Sequence, residues 1–349
     1  RRLGGVSWVA AAYANRHVLI RNDEEVLSAS LAAADYPNVP SSKSSPVRRA
    51  AVTRPDAPEA TEAGRSPLII QFAASGTTTG APSTFQFGEF YLLSGRGTNT
   101  PVFVVDDGVV VVDPARSGSF EEIRAEVARI TDKAITTVVN TLAHTPDPEN
   151  LAGYPNLVDV VAHENAATAM GRMNLFAGER TRFAPTRKYE RELTLFAGRS
   201  QVDLYHFGAG PTDGDSVLVV PRFRMAYLGD LFPSKGVPLI DTSLGGSAAA
   251  FPETLVRVVE MLEETGVTFV VPGRATPPTA QTILGWLTVD DVREYAEFCR
   301  DLLAIVQDAL RAGNNVDEIV ANLELPERYR DYDLQHARSY VETVVAELR

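Results

Sequence analysis

Two valine-rich runs joined by Asp106-Asp107-Gly108 fix the first piece of this fold. Val102 to Val105 and Val109 to Val112 are short, apolar and β-branched, and the Asp-Asp-Gly between them is a hairpin signal. A chain committed to that hairpin must build outward from a sheet. The flanking sequence supplies the other strands. Leu68 to Phe72 and Phe85 to Leu93 precede the hairpin and are strand-like; Ile135 to Asn140 and Val158 to Ala162 follow it. Between them, Phe120, Ile123, Val127 and Ile130 recur on one face of a helix predicted over 119–130. A second helix is predicted from Glu164 to Met173.

The second half repeats the theme. Val202 to Phe207, Ser216 to Val220, Arg224 to Leu228 and Val267 to Val271 are predicted strands. Pro252 to Thr265 is a predicted helix, with Leu255, Val258, Val259 and Leu262 facing inward. Two halves of strands, each carrying helices, give a sandwich of sheets with helices outside. From Val289 to Ala312 the apolar residues Val292, Tyr295, Phe298, Cys299, Leu302, Val306 and Leu310 keep helical spacing. Gly313-Asn314 ends that helix, and Val316 to Leu323 and Leu334 to Leu348 follow as shorter ones.

Residues 1–66 differ from the rest. Asp23 to Ala34 reads as one short helix. Tyr36 to Arg65 carries Pro37, Pro40, Pro46, Pro55 and Pro58, a density that prevents a regular helix or central strand. The organisation predicted is an N-terminal extended arm or linker over 1–66, a sheet-sandwich domain over 67–280 and a C-terminal helical extension over 281–349. If such an arm is ordered, either its own core domain or a protein partner must hold it. The basic, acid-free start from Arg1 to Asn22 fits an organellar (mitochondrial) or exported protein as well as an ordinary basic arm.

Composition narrows the function classes. The 349 residues hold 45 Asp plus Glu against 33 Lys plus Arg, a formal charge of −12. That balance argues against a nucleic-acid partner, which needs clustered cations. No run of apolar residues is long enough for a transmembrane segment. The single cysteine, Cys299, excludes an intramolecular disulfide framework and a Cys-rich zinc site. It lies on the apolar helical stripe and reads as a core thiol. No Gly-x-Ser-x-Gly elbow occurs, so a serine hydrolase is not indicated. Five histidines are few for an enzyme built on imidazole ligands.

An ordered set of motifs carries a family resemblance. Val105-Asp106-Asp107-Gly108-Val109-Val110-Val111-Val112-Asp113 resembles the opening hairpin of metallo-β-lactamase-fold hydrolases. Val138-Val139-Asn140-Thr141 resembles the strand before that family's first metal motif, and Ala162-His163-Glu164-Asn165 a later segment. Gly208-Ala209-Gly210-Pro211-Thr212-Asp213-Gly214-Asp215 resembles the glycine-rich loop of the third histidine. Leu228-Gly229-Asp230-Leu231-Phe232 resembles the turn of the bridging aspartate, and Pro272-Gly273-Arg274 the Pro-Gly-His strand end. Leu325-Pro326-Glu327-Arg328-Tyr329 is similar to the helical tail of some members. The implied fold is α/β (α+β), an αβ/βα sandwich with the site at one edge between the sheets.

The resemblance also implies a metal site built on His-x-His-x-Asp-His, a later His, a bridging Asp and a final His. Here Leu142 takes the first His position and His144 keeps the second. Without a gap, Pro146 replaces the Asp and Asp147 the last His; with a one-residue insertion, Asp147 is the Asp and Pro148 replaces the His. Pro211 takes the third His position and Arg274 the final one. Only His144, Asp230 and Asp147 remain as ligand-type residues, with Asp213 or Asp215 as a further oxygen donor. Leu and Pro offer no donor, and Arg is a fixed cation. Arg274 beside Asp230 is expected to neutralise the carboxylate, and a salt bridge between them would fill the volume where the resemblance implies a metal.

No cofactor is therefore expected; the alternative is one zinc, iron or manganese ion on His144, Asp147 and Asp230. His163 and His206 read as packed, hydrogen-bonded histidines. Asp213-Gly214-Asp215 and Gly245-Gly246-Ser247 read as turns. Three functions follow. The first is a non-catalytic structural or accessory subunit of a larger assembly. The second is a mononuclear metal-dependent hydrolase of an ester, lactone or thioester. The third is an anion-binding pseudoenzyme in which Arg274 meets the anion.

Overall fold

The computed structural model describes residues 12–14, 17–21, 26–30, 70–73, 83–95, 98–114, 120–144, 148–274 and 287–348. The chain divides into two units, 1–68 and 69–349. Within the first, β1 (Ala12–Ala14), β2 (His17–Arg21) and β3 (Val26–Ser30) form an antiparallel sheet in that order. The helix predicted over 23–34 is replaced there by β3. Its backbone pairs with β2 from His17↔Ser30 to Arg21↔Val26; that pairing satisfies its polar groups and overrides a weak helix propensity. The proline-rich stretch 36–65 lies outside the described residues, as does the basic start before Ala12.

The second unit opens with β4 (Ile70–Ala73), β5 (Ser83–Phe87), β6 (Phe90–Gly95), β7 (Thr98–Val105) and β8 (Gly108–Val112). Then come α1 (Phe120–Ile130), β9 (Ile135–Asn140), α2 (Pro148–Ala152), β10 (Asp159–His163), α3 (Glu164–Arg172) and β11 (Arg187–Tyr189). These eight strands form one sheet, ordered β11-β10-β9-β8-β7-β6-β5-β4. Neighbours are antiparallel from β4 to β8 and parallel from β8 to β11. The Asp-Asp-Gly turn joins β7 to β8 as expected. A Cβ on Gly108 would lie 2.3 Å from Thr136 Oγ1, so the close approach of β9 demands glycine.

The single strand expected over 85–93 is two strands. Gly88, at φ +60°, and Glu89 turn β5 back into β6. Aromatic residues on both sides of that glycine make the two runs look continuous.

The smaller sheet follows: β12 (Glu192–Leu195), β13 (Val202–Tyr205), β14 (Val217–Val220), β15 (Met225–Tyr227) and, after α4 (Phe251–Glu264), β16 (Phe269–Val271). Its order is sequential, with β15 and β16 parallel. Then come α5 (Val289–Arg311), α6 (Val316–Ala321) and α7 (Ala337–Glu347). Glu190 and Arg191 alone carry the chain from the edge of one sheet to the edge of the other.

Alternation along the strands sorts the core into layers. Val110 and Val112 of β8 meet Leu204 of β13, Leu218 of β14 and Tyr227 of β15 between the sheets. Val109 and Val111 face the opposite way, onto Ile123 and Val127 of α1. On the far side, Val217, Val219 and Ala226 pack under α4, α5 and α7 with Leu255, Phe298 and Val341. The αβ/βα sandwich is thus present. Cys299 is fully buried in that last layer, and burial pushes its thiol well above the ordinary range, as suits a core residue. Among the described residues no helix is long and apolar enough to cross a membrane.

Candidate functional site

The loops after β9, β13, β15 and β16 converge at one edge of the sandwich. β9 ends at Asn140, and Thr141 follows. The Thr141 amide donates to Asp113 Oδ1 at 2.7 Å and its hydroxyl donates to Oδ2. Asp113 is buried at the end of β8 with φ +45°. From the smaller sheet, the Ser216 amide donates to the Thr141 carbonyl at 2.8 Å. These bonds pin the two sheets together beneath the site.

Above them stand the predicted residues. Leu142 is buried and supplies no donor. His144 is half exposed, and its Nε2 lies 3.0 Å from Asp241 Oδ2. Asp241 Oδ1 accepts the Ser243 amide at 2.9 Å and the Ser243 hydroxyl at 2.5 Å. Burial would raise the Asp241 carboxyl, but the Ser243 and His144 hydrogen bonds outweigh it and hold the group below the usual carboxylate range.

Asp230 sits in a single 3-10 turn, Gly229–Leu231. Gly229 has φ +52°, and a Cβ there would lie 2.7 Å from Thr141 Oγ1, so this turn is pressed against the β9 loop. Arg274 Nη2 lies 3.2 Å from Asp230 Oδ2, with the arginine side chain 54% exposed and the aspartate 27%. Asn99 of β7 fixes the strand end that delivers Arg274, donating to the Pro272 carbonyl at 2.9 Å and the Arg274 carbonyl at 3.3 Å. Pro211 accepts the Asp241 amide at 2.8 Å, which places the third-histidine loop beside the His144 partner. Asp147 lies outside the described residues.

Asp215, the further oxygen donor expected from the sequence, ends the same loop as Pro211. It is buried, and its Oδ2 accepts the Thr212 amide at 2.6 Å while Oδ1 has no hydrogen-bond partner. Burial first, then the nearby charges of Asp230 and Asp113, push its carboxyl up to about 8.

His163 and His206 are packed, hydrogen-bonded residues, as expected. Their rings stack at 3.8 Å across the gap between the sheets. His163 Nδ1 accepts the Asn165 amide at 3.2 Å, capping α3, and Nε2 donates to the Glu190 carbonyl at 2.7 Å. Both nitrogens are committed to the neutral ring. Burial, then the neighbouring His206, push His163 down to about 4. His206 is also lowered by burial, and its Nδ1 donates to the Asp215 carbonyl at 2.8 Å.

Of the donors the resemblance implies, the two that are described, His144 and Asp230, are both already engaged. His144 is engaged with Asp241 and Asp230 with Arg274, and a fixed guanidinium repels a divalent ion. Among the described residues no three His, Cys, Asp or Glu side chains group in a way that could hold one. Asp241 was not visible as a partner of His144 from the sequence. The two are 97 residues apart, and only the Asp241-Thr242-Ser243 turn pattern hinted at a fixed carboxylate.

No family model matches the sequence, and no curated protein matches it. Solved structures do. The stereoselective inverting sec-alkylsulfatase Pisa1 from Pseudomonas sp. superposes with a TM-score of 0.58 at 16% identity, covering 76% of this chain and 50% of that one. A double mutant of the same sulfatase gives 0.58 at 15% identity over the same shares. The chain thus spans about half the length of that enzyme. A metallo-β-lactamase from Pontibacter korlensis reaches 0.47 at 15% identity, over 66% of this chain and 99% of its own. Identities this low speak for the fold alone.

Proposed function

We propose that this chain, which has the metallo-β-lactamase fold, is a non-catalytic member of it that serves as a structural or accessory subunit of a larger assembly. The observation that carries the reading is the Arg274–Asp230 ion pair at 3.2 Å. It puts a permanent cation where the resemblance implies a metal-binding imidazole. Leu142 and Pro211, which have no donor, support the same reading.

The test is elemental analysis of the full chain, purified without added metal and again after dialysis against zinc and manganese. Substoichiometric metal in both samples is expected. About one tightly held ion per chain would overturn the proposal. Cross-linking of the chain in its native extract, followed by mass spectrometry, is expected to capture reproducible protein partners.

One observation favours a second reading, an anion-binding pseudoenzyme. Arg274 is half exposed and meets Asp230 through a single Nη2 contact, whereas a guanidinium carries five donors. Titration with sulfate or acetate, followed by NMR on the chain and on Arg274→Ala, tests it. Saturable shifts lost in the variant support anion binding; identical behaviour of the two removes it.

A further inference from the structure

The last turn of α7 reaches the site through one carboxylate. Glu347 Oε1 accepts the Ala248 amide at 2.7 Å; Oε2 accepts the Ala249 amide and the Ser247 hydroxyl, each at 3.0 Å. These donors stand just before α4, where Ala250, the residue preceding the helix, has no capping side chain and Ser247 accepts the Ala250 amide at 3.0 Å. Unspent amides and the helix dipole there favour a negative charge. Glu347 supplies it from another helix.

The residues it grips are continuous with the site. The Ser247 amide donates to the Gly210 carbonyl at 3.0 Å, and the Gly246 amide donates to the Asp241 carbonyl at 2.9 Å. A Cβ on Gly246 would lie 2.2 Å from the Pro211 carbonyl oxygen, and one on Gly245 2.5 Å from the Asp213 carboxylate. Loop 241–247 is therefore packed without slack between the Pro211 loop and α4. At its far end Asp241 holds His144. α7 is itself anchored by Tyr340, Val341 and Val344 in the core.

We infer that Glu347 is a positioning residue for His144: the C-terminal helix, through loop 241–247, sets where that imidazole points. No metal enters this chain of contacts, so it stands apart from the functional reading above. It makes the C-terminal helix a latch on the site edge, and any partner that draws α7 outward would release His144.

The test uses the full chain with 15N-labelled histidine, His144 being assigned by its loss in His144→Gln. In the parent, ring nitrogen shifts are expected to report one tautomer, with Nε2–H donated to Asp241. In Glu347→Ala the His144 signals are expected to move toward a mixed-tautomer average while His163 and His206 stay in place. Glu342→Ala, on the same helix and 3.8 Å from Arg338, is expected to leave His144 unmoved. A Glu347→Ala chain that melts earlier yet keeps His144 unchanged would overturn the latch. If that variant does not fold, Glu347→Gln and Ser247→Ala replace it. A smaller shift in the same direction supports the latch, and none refutes it.

Discussion

Arg274 and Asp230 face each other across 3.2 Å from two different strand ends, held there by backbone contacts that neither side chain makes. Gly273 donates to the Gly229 carbonyl at 2.9 Å, and Asn99 ties down Pro272 and Arg274. The pair is a consequence of how β15 and β16 end. Removing it should therefore leave the frame standing. For a half-exposed pair, Arg274→Met is expected to cost only about 0.5–1 kcal/mol in urea denaturation. A loss of several times that would mean the ion pair organises the edge.

If the frame stands, donors can be returned to it. Leu142 precedes His144 by two residues, and the Pro211 carbonyl holds the amide of its partner Asp241. The double substitution L142H with P211H is expected to create a three-imidazole set that binds zinc stoichiometrically by calorimetry. R274H alone, which leaves Leu142 and Pro211 in place, is expected to bind none tightly. Failure of the double variant to take up zinc while still folded would mean the loops no longer hold family geometry.

The stacked histidines make a signed prediction about acid. His163 is a base held at about 4 in the fold, against roughly 6.5 when unfolded. The unfolded chain then binds more protons between those values. Stability is full above about 6.5 and is lost as pH falls from there through about 4, by at most about 3 kcal/mol for this group. His163→Gln, which keeps an acceptor for the Asn165 amide, is expected to flatten that slope in thermal melts from pH 7 to 4. An unchanged slope would assign the acid sensitivity elsewhere.

Asp215 acts in the opposite sense. Burial pushes its carboxyl up to about 8 in the fold, against roughly 3.9 when free. Here the folded chain binds the extra proton, so stability falls as pH rises from about 4 through about 8. Asp215→Asn keeps an oxygen for the Thr212 amide and carries no charge to bury. It is expected to be more stable than the parent at pH 9 by roughly 1–3 kcal/mol, with the gain shrinking toward pH 5. A variant less stable than the parent at pH 9 would contradict this.

Two glycines should respond oppositely to alanine. Gly246 has backbone carbonyl oxygens 2.2 Å and 2.8 Å from where a Cβ would stand, whereas Gly171 in α3 has nothing within 4 Å. Gly246→Ala is expected to destabilise by more than about 2 kcal/mol. Gly171→Ala should stabilise by about 0.5–1 kcal/mol through helix propensity. Denaturation midpoints of the two variants decide it.

The strands of the sandwich were legible because their signals are local. Val109 to Val112 and the turn before them need no distant partner to be read. β11 and β12 were missed for the converse reason. Arg187-Lys188-Tyr189 and Glu192-Leu193-Thr194-Leu195 are short and partly charged, as edge strands are, and only pairing with β10 and β13 makes them strands. At the site, the residue types at 142, 211 and 274 were readable in place. The His144–Asp241 contact and the Glu347 cap were not, because each joins segments about a hundred residues apart, and no local pattern encodes such a meeting. The burial of Asp215 was likewise invisible, since its neighbours Gly214 and Ser216 look like an exposed turn.

The crossing at Glu190-Arg191 has a mechanical meaning. Two residues leave almost no slack between Tyr189 of one sheet and Glu192 of the other, and the Glu190 carbonyl is itself fastened to His163. Tension applied to β12 is delivered directly to β11 and then to the parallel strands behind it. Under load, the two sheets are expected to yield as one piece at this edge, so that separation begins along the opposite margin.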